Sequence, residues 1–320
     1  MAMLSAVRAH QMTKSFNGDS GVFDVDLSVD QGTTVGLIGP SGSGKTTTVR
    51  LLAGLLTPTS GTVEVFGERP VAFRRETRAR LGYMPQDSVL YPSLSLRQNL
   101  DFAGALFGMR HGERRSRIDE LIGFLDLEGA AGRLPGQCSG GEKRRIALAS
   151  TLVHDPQLVF LDEPSAGLDP VLRKKLWDRF DHLADSGRTL VVTTQYVGEA
   201  AYCDYVAVLA EGRVLTFDTP SGLRHRAYGG ELVDVTFSTA PPASALTFLK
   251  SVAVGPEPQL MEEGTVRVVV EDPGAAIPLV LEWGIENQVK MEKAEVYSPP
   301  FDDIFVELIQ KLSTSRREAG

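Results

Sequence analysis

Apolar and polar residues alternate at period two over residues 7–13 and again over 22–29, the pattern of half-buried antiparallel strands. Asn17-Gly18-Asp19-Ser20-Gly21 between them is turn chemistry, and Phe16 closes the first strand. The pattern then changes. Residues 34–38, 158–163 and 189–194 are short apolar runs with little alternation, as expected of strands buried on both faces. Between them the apolar spacing is helical. It predicts helices from residue 47 to about 56, through Leu96, Leu100, Ala103 and Phe107, and through Ile118, Leu121, Ile122 and Leu125. Further helices are predicted over 143–153 and 172–183. Residues 74–80 read as a basic, solvated helix face, and 111–117 as a charged connection. Shorter strands fall at 62–66, 81–86, 205–209 and 213–217. Strands alternating with helices predict an α/β domain with a mainly parallel core sheet, an antiparallel β-subdomain and a helical insertion from about 88 to 150.

Asp218-Thr219-Pro220 closes that domain, which spans 1–220 in this reading, and the pattern shifts again. Strands are predicted at 232–237, 259–261, 266–270 and 289–297, and helices at 243–251, 275–283 and 301–312. Pro241-Pro242 and Pro299-Pro300 mark two of the helix starts. This β-α-β-β-α-β-α order predicts a small ferredoxin-like α+β domain over 221–320. It carries no catalytic constellation.

Composition narrows the picture without changing it. A chain of 320 residues with 42% hydrophobic and 23% charged content is ordinary globular material, long enough for two domains. The net charge of −8 argues against tracking along nucleic acid through phosphate contacts. Two cysteines, Cys138 and Cys203, and five histidines show no metal-ligand spacing. No apolar run approaches the ~20 residues of a membrane span, and residues 1–9 lack a signal-peptide core. Any action at a membrane then needs another chain to do the spanning.

The chemistry begins at Gly39-Pro40-Ser41-Gly42-Ser43-Gly44-Lys45-Thr46, which fits G-x-x-x-x-G-K-[ST] between a predicted strand and a predicted helix. Its glycines let backbone N–H groups turn inward as an anion nest, and the helix N-terminus adds partial positive charge. Lys45 is placed to reach β- and γ-phosphates, and the Thr46 hydroxyl to ligate Mg²⁺. Asp162 and Glu163 end a buried strand downstream. One carboxylate there can hold Mg²⁺ through water, and its neighbour can polarise a water for attack on the γ-phosphate. Ser139-Gly140-Gly141 opens a helix and offers either a second phosphate site or a plain N-cap with Glu142. Two phosphate-binding helix starts in one chain hint at a composite site shared between subunits.

In order along the chain, the phosphate loop, Gln86, Cys138-Ser139-Gly140-Gly141-Glu142, Leu158-Val159-Phe160-Leu161-Asp162-Glu163-Pro164 and Ser165-Ala166-Gly167-Leu168-Asp169 resemble the nucleotide-binding subunit of ABC transporters. The resemblance covers residues 5–220. It implies a P-loop NTPase cassette that binds ATP and Mg²⁺, hydrolyses ATP, and works with an integral membrane permease at the cytoplasmic face of the membrane. It further implies a second ATP-binding subunit, as homo- or heterodimer. By the same resemblance Phe16 stacks on adenine, and residues 39–47, including Thr47, hold the phosphates. Gln86 senses Mg²⁺ and the membrane partner, and Asp162 holds Mg²⁺ with Thr46. Glu163 is catalytic, Ser139, Gly140 and Gly141 cover the γ-phosphate of the opposite subunit, and Asp169 lies in the dimer contact. Residues 91–100 and Pro299-Pro300-Phe301-Asp302-Asp303-Ile304-Phe305 are similar to stretches of ABC-2 type drug exporters.

Three departures stand out. Cys138 replaces the usual Leu, Glu142 the usual Gln, and Gln195 the usual His that contacts the γ-phosphate. An amide cannot become a cation, so Gln195 raises the alternative of a weakly hydrolysing regulatory subunit. A third reading, an ABC ATPase of translation or DNA metabolism, is opposed by the single cassette, the lack of a long coiled coil and the negative charge.

Overall fold

The computed structural model describes residues 5–18, 20–87 and 90–319. Residues 1–4, Asp19 of the predicted turn, residues 88–89 at the start of the predicted helical insertion, and residue 320 lie outside the described residues. The chain divides into two compact units, Met1–Phe217 and Asp218–Gly320.

The first unit opens with β1 (Ser5–Ser15) and β2 (Gly21–Asp30). Then come β3 (Thr34–Ile38), α1 (Lys45–Leu52), β4 (Ser60–Val65), α2 (Arg75–Ala79) and β5 (Leu81–Met84). Three helices follow, α3 (Leu96–Leu106), α4 (His111–Phe124) and α5 (Gly140–Leu152). The unit closes with β6 (Leu158–Asp162), α6 (Pro170–Asp185), β7 (Thr189–Thr194), β8 (Tyr205–Ala210) and β9 (Arg213–Asp218).

One sheet has the order β2-β1-β4 and is antiparallel; the other has the order β5-β6-β7-β3-β8-β9, with parallel pairing from β5 through β8. Val7, Met12, Val25 and Val29 from the first sheet share a core with Leu37, Phe160, Val191 and Leu209 from the second and with Leu51 and Leu52 of α1. Each such side chain contributes about 1.5–3 kcal/mol by leaving water. β3, β6 and β7 are buried at every position, which is why their sequence shows no alternation. Their register aligns Ile38 with Thr194 and Asp162 with Thr193, so three strands end level at one edge of the sheet. The loops that leave this edge carry the phosphate loop, Glu163 and Gln195.

α3, α4 and α5 pack together on buried Leu96, Leu100, Ile118, Leu121, Ile122, Ile146 and Leu148. α4 begins at His111, so residues 111–117 are helix and not the charged connection that their polarity predicts. Ion pairs explain it. Arg114 Nε and Nη2 donate to Asp101 on α3 at 2.6 and 3.3 Å. Arg117 donates to Glu120 at 2.6 Å, Asp155 at 3.2 Å and the Leu152 carbonyl at 3.3 Å. α1 is shorter than its apolar pattern predicts, ending at Leu52 instead of residue 56. Gly54 at φ +75° and the Leu55 and Leu56 N–H groups, which donate back to the Arg50 carbonyl, close the helix there.

The second unit starts with a helix absent from the sequence reading, α7 (Pro220–Tyr228). Thr219 Oγ1 accepts the Gly222 N–H at 3.0 Å, and Pro220 occupies the first helical turn. The helix lies within the compact unit that begins at Asp218. β10 (Glu231–Phe237), α8 (Ala243–Val252), β11 (Gln259–Leu260), β12 (Thr265–Val270), α9 (Pro273–Glu286), β13 (Met291–Tyr297) and α10 (Phe301–Ala319) follow. Their sheet is antiparallel in the order β11-β12-β10-β13. Val233, Val235, Phe237, Val266, Val268 and Val270 pack under Ala245 and Leu249 of α8 and Ala276 and Val280 of α9. Arg267 makes a bidentate pair with Asp234 at 2.7 and 2.8 Å and lies 3.3 Å from the Tyr297 ring centroid. No helix among the described residues is long and apolar enough to cross a membrane.

Candidate nucleotide site

The phosphate loop leaves the end of β3 and enters α1 without a side-chain cap. Gly44 caps that helix at φ +102°, and a Cβ there would come 2.5 Å from Val22 Cγ1. Gly39 is held by close approach: an added Cβ would lie 2.1 Å from the Leu209 carbonyl oxygen. The loop can thus turn its amides inward only with glycine at these positions.

Lys45 is almost fully buried, and its Nζ donates to the Gly39 and Pro40 carbonyls at 2.8 and 3.0 Å. Glu163 Oε1 lies 3.6 Å from the same ammonium. Burial pushes the Lys45 pKa down, and the carboxylates of Glu163 and Asp162 pull partly against it. Thr46 Oγ1 donates to Asp162 Oδ1 at 2.9 Å, and Thr193 Oγ1 donates to the same oxygen at 2.7 Å. Asp162 is wholly buried, and its Oδ2 has no hydrogen-bond partner among the described residues. An unpartnered carboxylate oxygen beside a serine-type hydroxyl is the donor set of a hard divalent cation such as Mg²⁺.

Glu163 has φ +48°, an uncommon conformation for a residue with a side chain. Its N–H donates to Thr193 O at 3.1 Å and Thr193 Oγ1 at 2.8 Å. Gln86 Nε2 donates to Glu163 Oε2 at 3.4 Å. An open cavity of about 300 Å³ lies over these groups. Phe16, Ser41, Gly42, Gly44, Lys45, Thr46, Thr47, Gln86, Glu163 and Gln195 line it. Phe16 is half exposed at its mouth, with the Lys14 ammonium 5.7 Å from the ring centroid. Gly39, Ser43 and Asp162 are buried just behind the lining, and Pro40 is exposed on the loop.

Ser139, Gly140, Gly141 and Asp169 do not line this cavity. Ser139 caps α5: its Oγ accepts the Glu142 N–H at 3.2 Å, and its own N–H donates to Glu142 Oε2 at 2.7 Å. Ser139 and Gly140 are exposed, and nothing lies within 4 Å of a Cβ built on Gly140. Asp169 caps α6 by accepting the Val171 and Leu172 N–H groups at 2.9 and 3.0 Å.

Two residues that the sequence reading missed hold the site together. Thr193 bonds both Asp162 and the Glu163 amide, and Arg144 on α5 bonds the carbonyls behind Gln86 and Glu163. A signal for Arg144 is present in the sequence. Lys143-Arg144-Arg145 puts three cations in the first turns of a helix, where the helix dipole disfavours them.

Comparison with known proteins places this arrangement in a family. Residues 22–166 match the family model described as ABC transporter. Daunorubicin resistance ATP-binding protein DrrA2 of Streptomyces coeruleorubidus is 36% identical over 305 residues, 95% of this chain and 94% of its own length. Nod factor export ATP-binding protein I of Paraburkholderia xenovorans is 36% identical over 232 residues, 72% of this chain and 76% of its own length. Among solved structures, the dimeric post-hydrolysis ATP-binding cassette MJ0796 bound to ADP and Pi is 27% identical. It superposes with a TM-score of 0.61 over 67% of this chain and 98% of that one. The fold is that of an ATP-binding cassette. The chain belongs to the ABC transporter family as an ATP-binding subunit, and it is an ATPase.

Proposed function

We propose that this chain powers an ABC-2 type export permease for a drug, antibiotic or lipid-like substrate, acting at the cytoplasmic face of the membrane that its partner spans. The observation that carries the reading is the convergence of Lys45, Thr46, Asp162, Glu163 and Gln86 on one cavity with Phe16 at its mouth. The relatives' names, daunorubicin resistance and Nod factor export, support export over import.

The chain's own residues divide the work. Phe16 stacks on the adenine ring. The amides of residues 39–44 and the Lys45 ammonium take up phosphate charge. Thr46, Asp162 and Gln86 would hold Mg²⁺, which supplies positive charge against the β- and γ-phosphate oxygens. Glu163 orients and polarises the attacking water, and Gln195 offers an amide N–H to the γ-phosphate. Ser139, Gly140 and Gly141 close over the phosphates of a second ATP-binding subunit, with Asp169 in the contact between the two.

Light scattering on the Glu163→Gln chain tests the closure. With ATP and Mg²⁺ the mass becomes that of a dimer, and excess EDTA returns it to the monomer. A monomer under both conditions sinks the composite site. Gln195→His gives a separate test of whether the amide slows turnover. A higher rate at saturating ATP supports slowing, and an unchanged rate means that the neutral amide suffices.

A further inference from the structure

Arg144 lies one turn into α5, the helix that Ser139 caps. Its side chain does not enter the cavity lined by Lys45 and Glu163. Its guanidinium is half-buried and turns instead to backbone. Nη1 donates to the Gln86 carbonyl, Nη2 to the Glu163 carbonyl, and Nε to the Pro164 carbonyl at 2.9 Å. These carbonyls belong to the loop after β5 and the loop after β6, the two segments that present Gln86 and Glu163 to the cavity.

The contacts fall where the backbone most needs them. Glu163 sits at φ +48°, and a residue held in such a conformation persists only when its surroundings over-determine it. On the amide side Thr193 supplies two acceptors. On the carbonyl side the donors are the Ala166 N–H at 3.2 Å and Arg144. A planar fork with five N–H donors can serve three carbonyls at once, whereas a lysine ammonium is a compact point charge on a flexible stem. Among the described residues its hydrogen-bond partners are main-chain carbonyls, fixed to two loops of the site.

We propose that Arg144 is a positioning residue: it locks the Gln86 loop and the Glu163 backbone to the start of α5, so that both side chains and the Ser139-Gly140-Gly141 turn move as one body. This rests on the reading of Glu163 and Gln86 given above. Nucleotide binding by residues 39–47 does not pass through Arg144, so its loss separates binding from turnover.

The test measures ATP turnover and ATP affinity on the full chain for wild type, Arg144→Ala, Arg144→Lys and Glu163→Gln. Misplacing Glu163 by a fraction of an ångström lowers kcat by about ten- to a hundredfold in Arg144→Ala and Arg144→Lys, with ATP Kd within about threefold of wild type. Added guanidinium restores part of the Arg144→Ala rate and none of the Arg144→Lys rate, because lysine fills the space without the fork. Turnover at the wild-type rate in both variants overturns the proposal. So does a fall in ATP affinity that matches the fall in kcat, or an Arg144→Ala chain that guanidinium does not rescue, since each assigns Arg144 to folding alone. Glu163→Gln separates the two levels of the argument. If it turns over normally, the reading of the site fails; if it is inactive while the Arg144 variants are not, only the positioning role fails.

Discussion

At the scale of single residues, the site is built from groups whose options have been removed. Gly39 has no room for a methyl group, because the Leu209 carbonyl is 2.1 Å from where the Cβ would stand. Gly39→Ala is therefore expected to cost about 1–3 kcal/mol by urea denaturation and to weaken ATP binding as the loop shifts. Most of these residues were legible in the sequence, because Lys45, Thr46, Asp162 and Glu163 sit in short motifs whose flanking strand and helix could also be read. Thr193 was not, and for Arg144 the three cations opening α5 mark the position without its partners, because those partners are backbone atoms and a carboxylate supplied by other segments.

His154 gives a residue-scale dependence on pH. Its Nε2 is 2.8 Å from the Leu81 carbonyl, and its ring stacks on Phe107 at 3.5 Å. Burial pushes its pKa down; the Leu81 hydrogen bond and Asp155 oppose the shift, and Arg117 adds to it. The folded state thus favours neutral imidazole more than the unfolded chain does. The stability this confers is present above the unfolded value of about 6.5 and is lost as pH falls through the lower folded value. Thermal melts at pH 7.5 and 5.5 are expected to show a larger drop for wild type than for His154→Gln. Equal drops would remove His154 as the cause.

At the scale of elements, the N-terminus of α5 has an observed role as a cap and a proposed one toward phosphate, which substitution can separate. Ser139 forms a capping box with Glu142, which alone explains a serine there. Ser139→Ala costs about 1 kcal/mol as a lost cap. Ser139→Asp keeps the cap, since aspartate is among the best N-cap residues, but sets a carboxylate where phosphate approaches in the proposed composite site. It is expected to leave the urea midpoint nearly unchanged and to lower ATP turnover by about tenfold or more, a tenfold change being 1.4 kcal/mol in the barrier. Full turnover in Ser139→Asp would reduce Ser139 to a cap. The elements that the sequence misassigned failed for a related reason. Residues 111–117 have no apolar periodicity, and the ion pairs of Arg114 to Asp101 and of Arg117 to Asp155 hold them as helix. Thr219-Pro220 read as a domain end, yet a threonine before a proline is also a helix start, and the residues after it decide between the two.

At the scale of the whole molecule, two units with separate cores carry unequal shares of the chemistry. The groups proposed to bind and act on ATP lie in Met1–Phe217. Asp218–Gly320 has its own valine-rich core, and DrrA2 matches this chain over 95% of its length, so the likeness extends past the cassette. Cys203 illustrates how closed the first core is. Burial pushes its thiol pKa far up, with Glu199, Asp204 and Asp181 adding to the shift. Thiol alkylation of the native chain is expected to leave Cys203 unmodified until denaturant is added, as mass spectrometry of the labelled peptide can check.

The proposed chemistry turns on Glu163, which its neighbours hold at positive φ in the lining of the cavity. Phosphate release at saturating ATP and Mg²⁺, compared between wild type and Glu163→Gln with ATP affinity measured on the same samples, tests it most directly. The account predicts a fall in kcat of about a hundredfold or more with affinity retained. Equal rates in the two chains would contradict it.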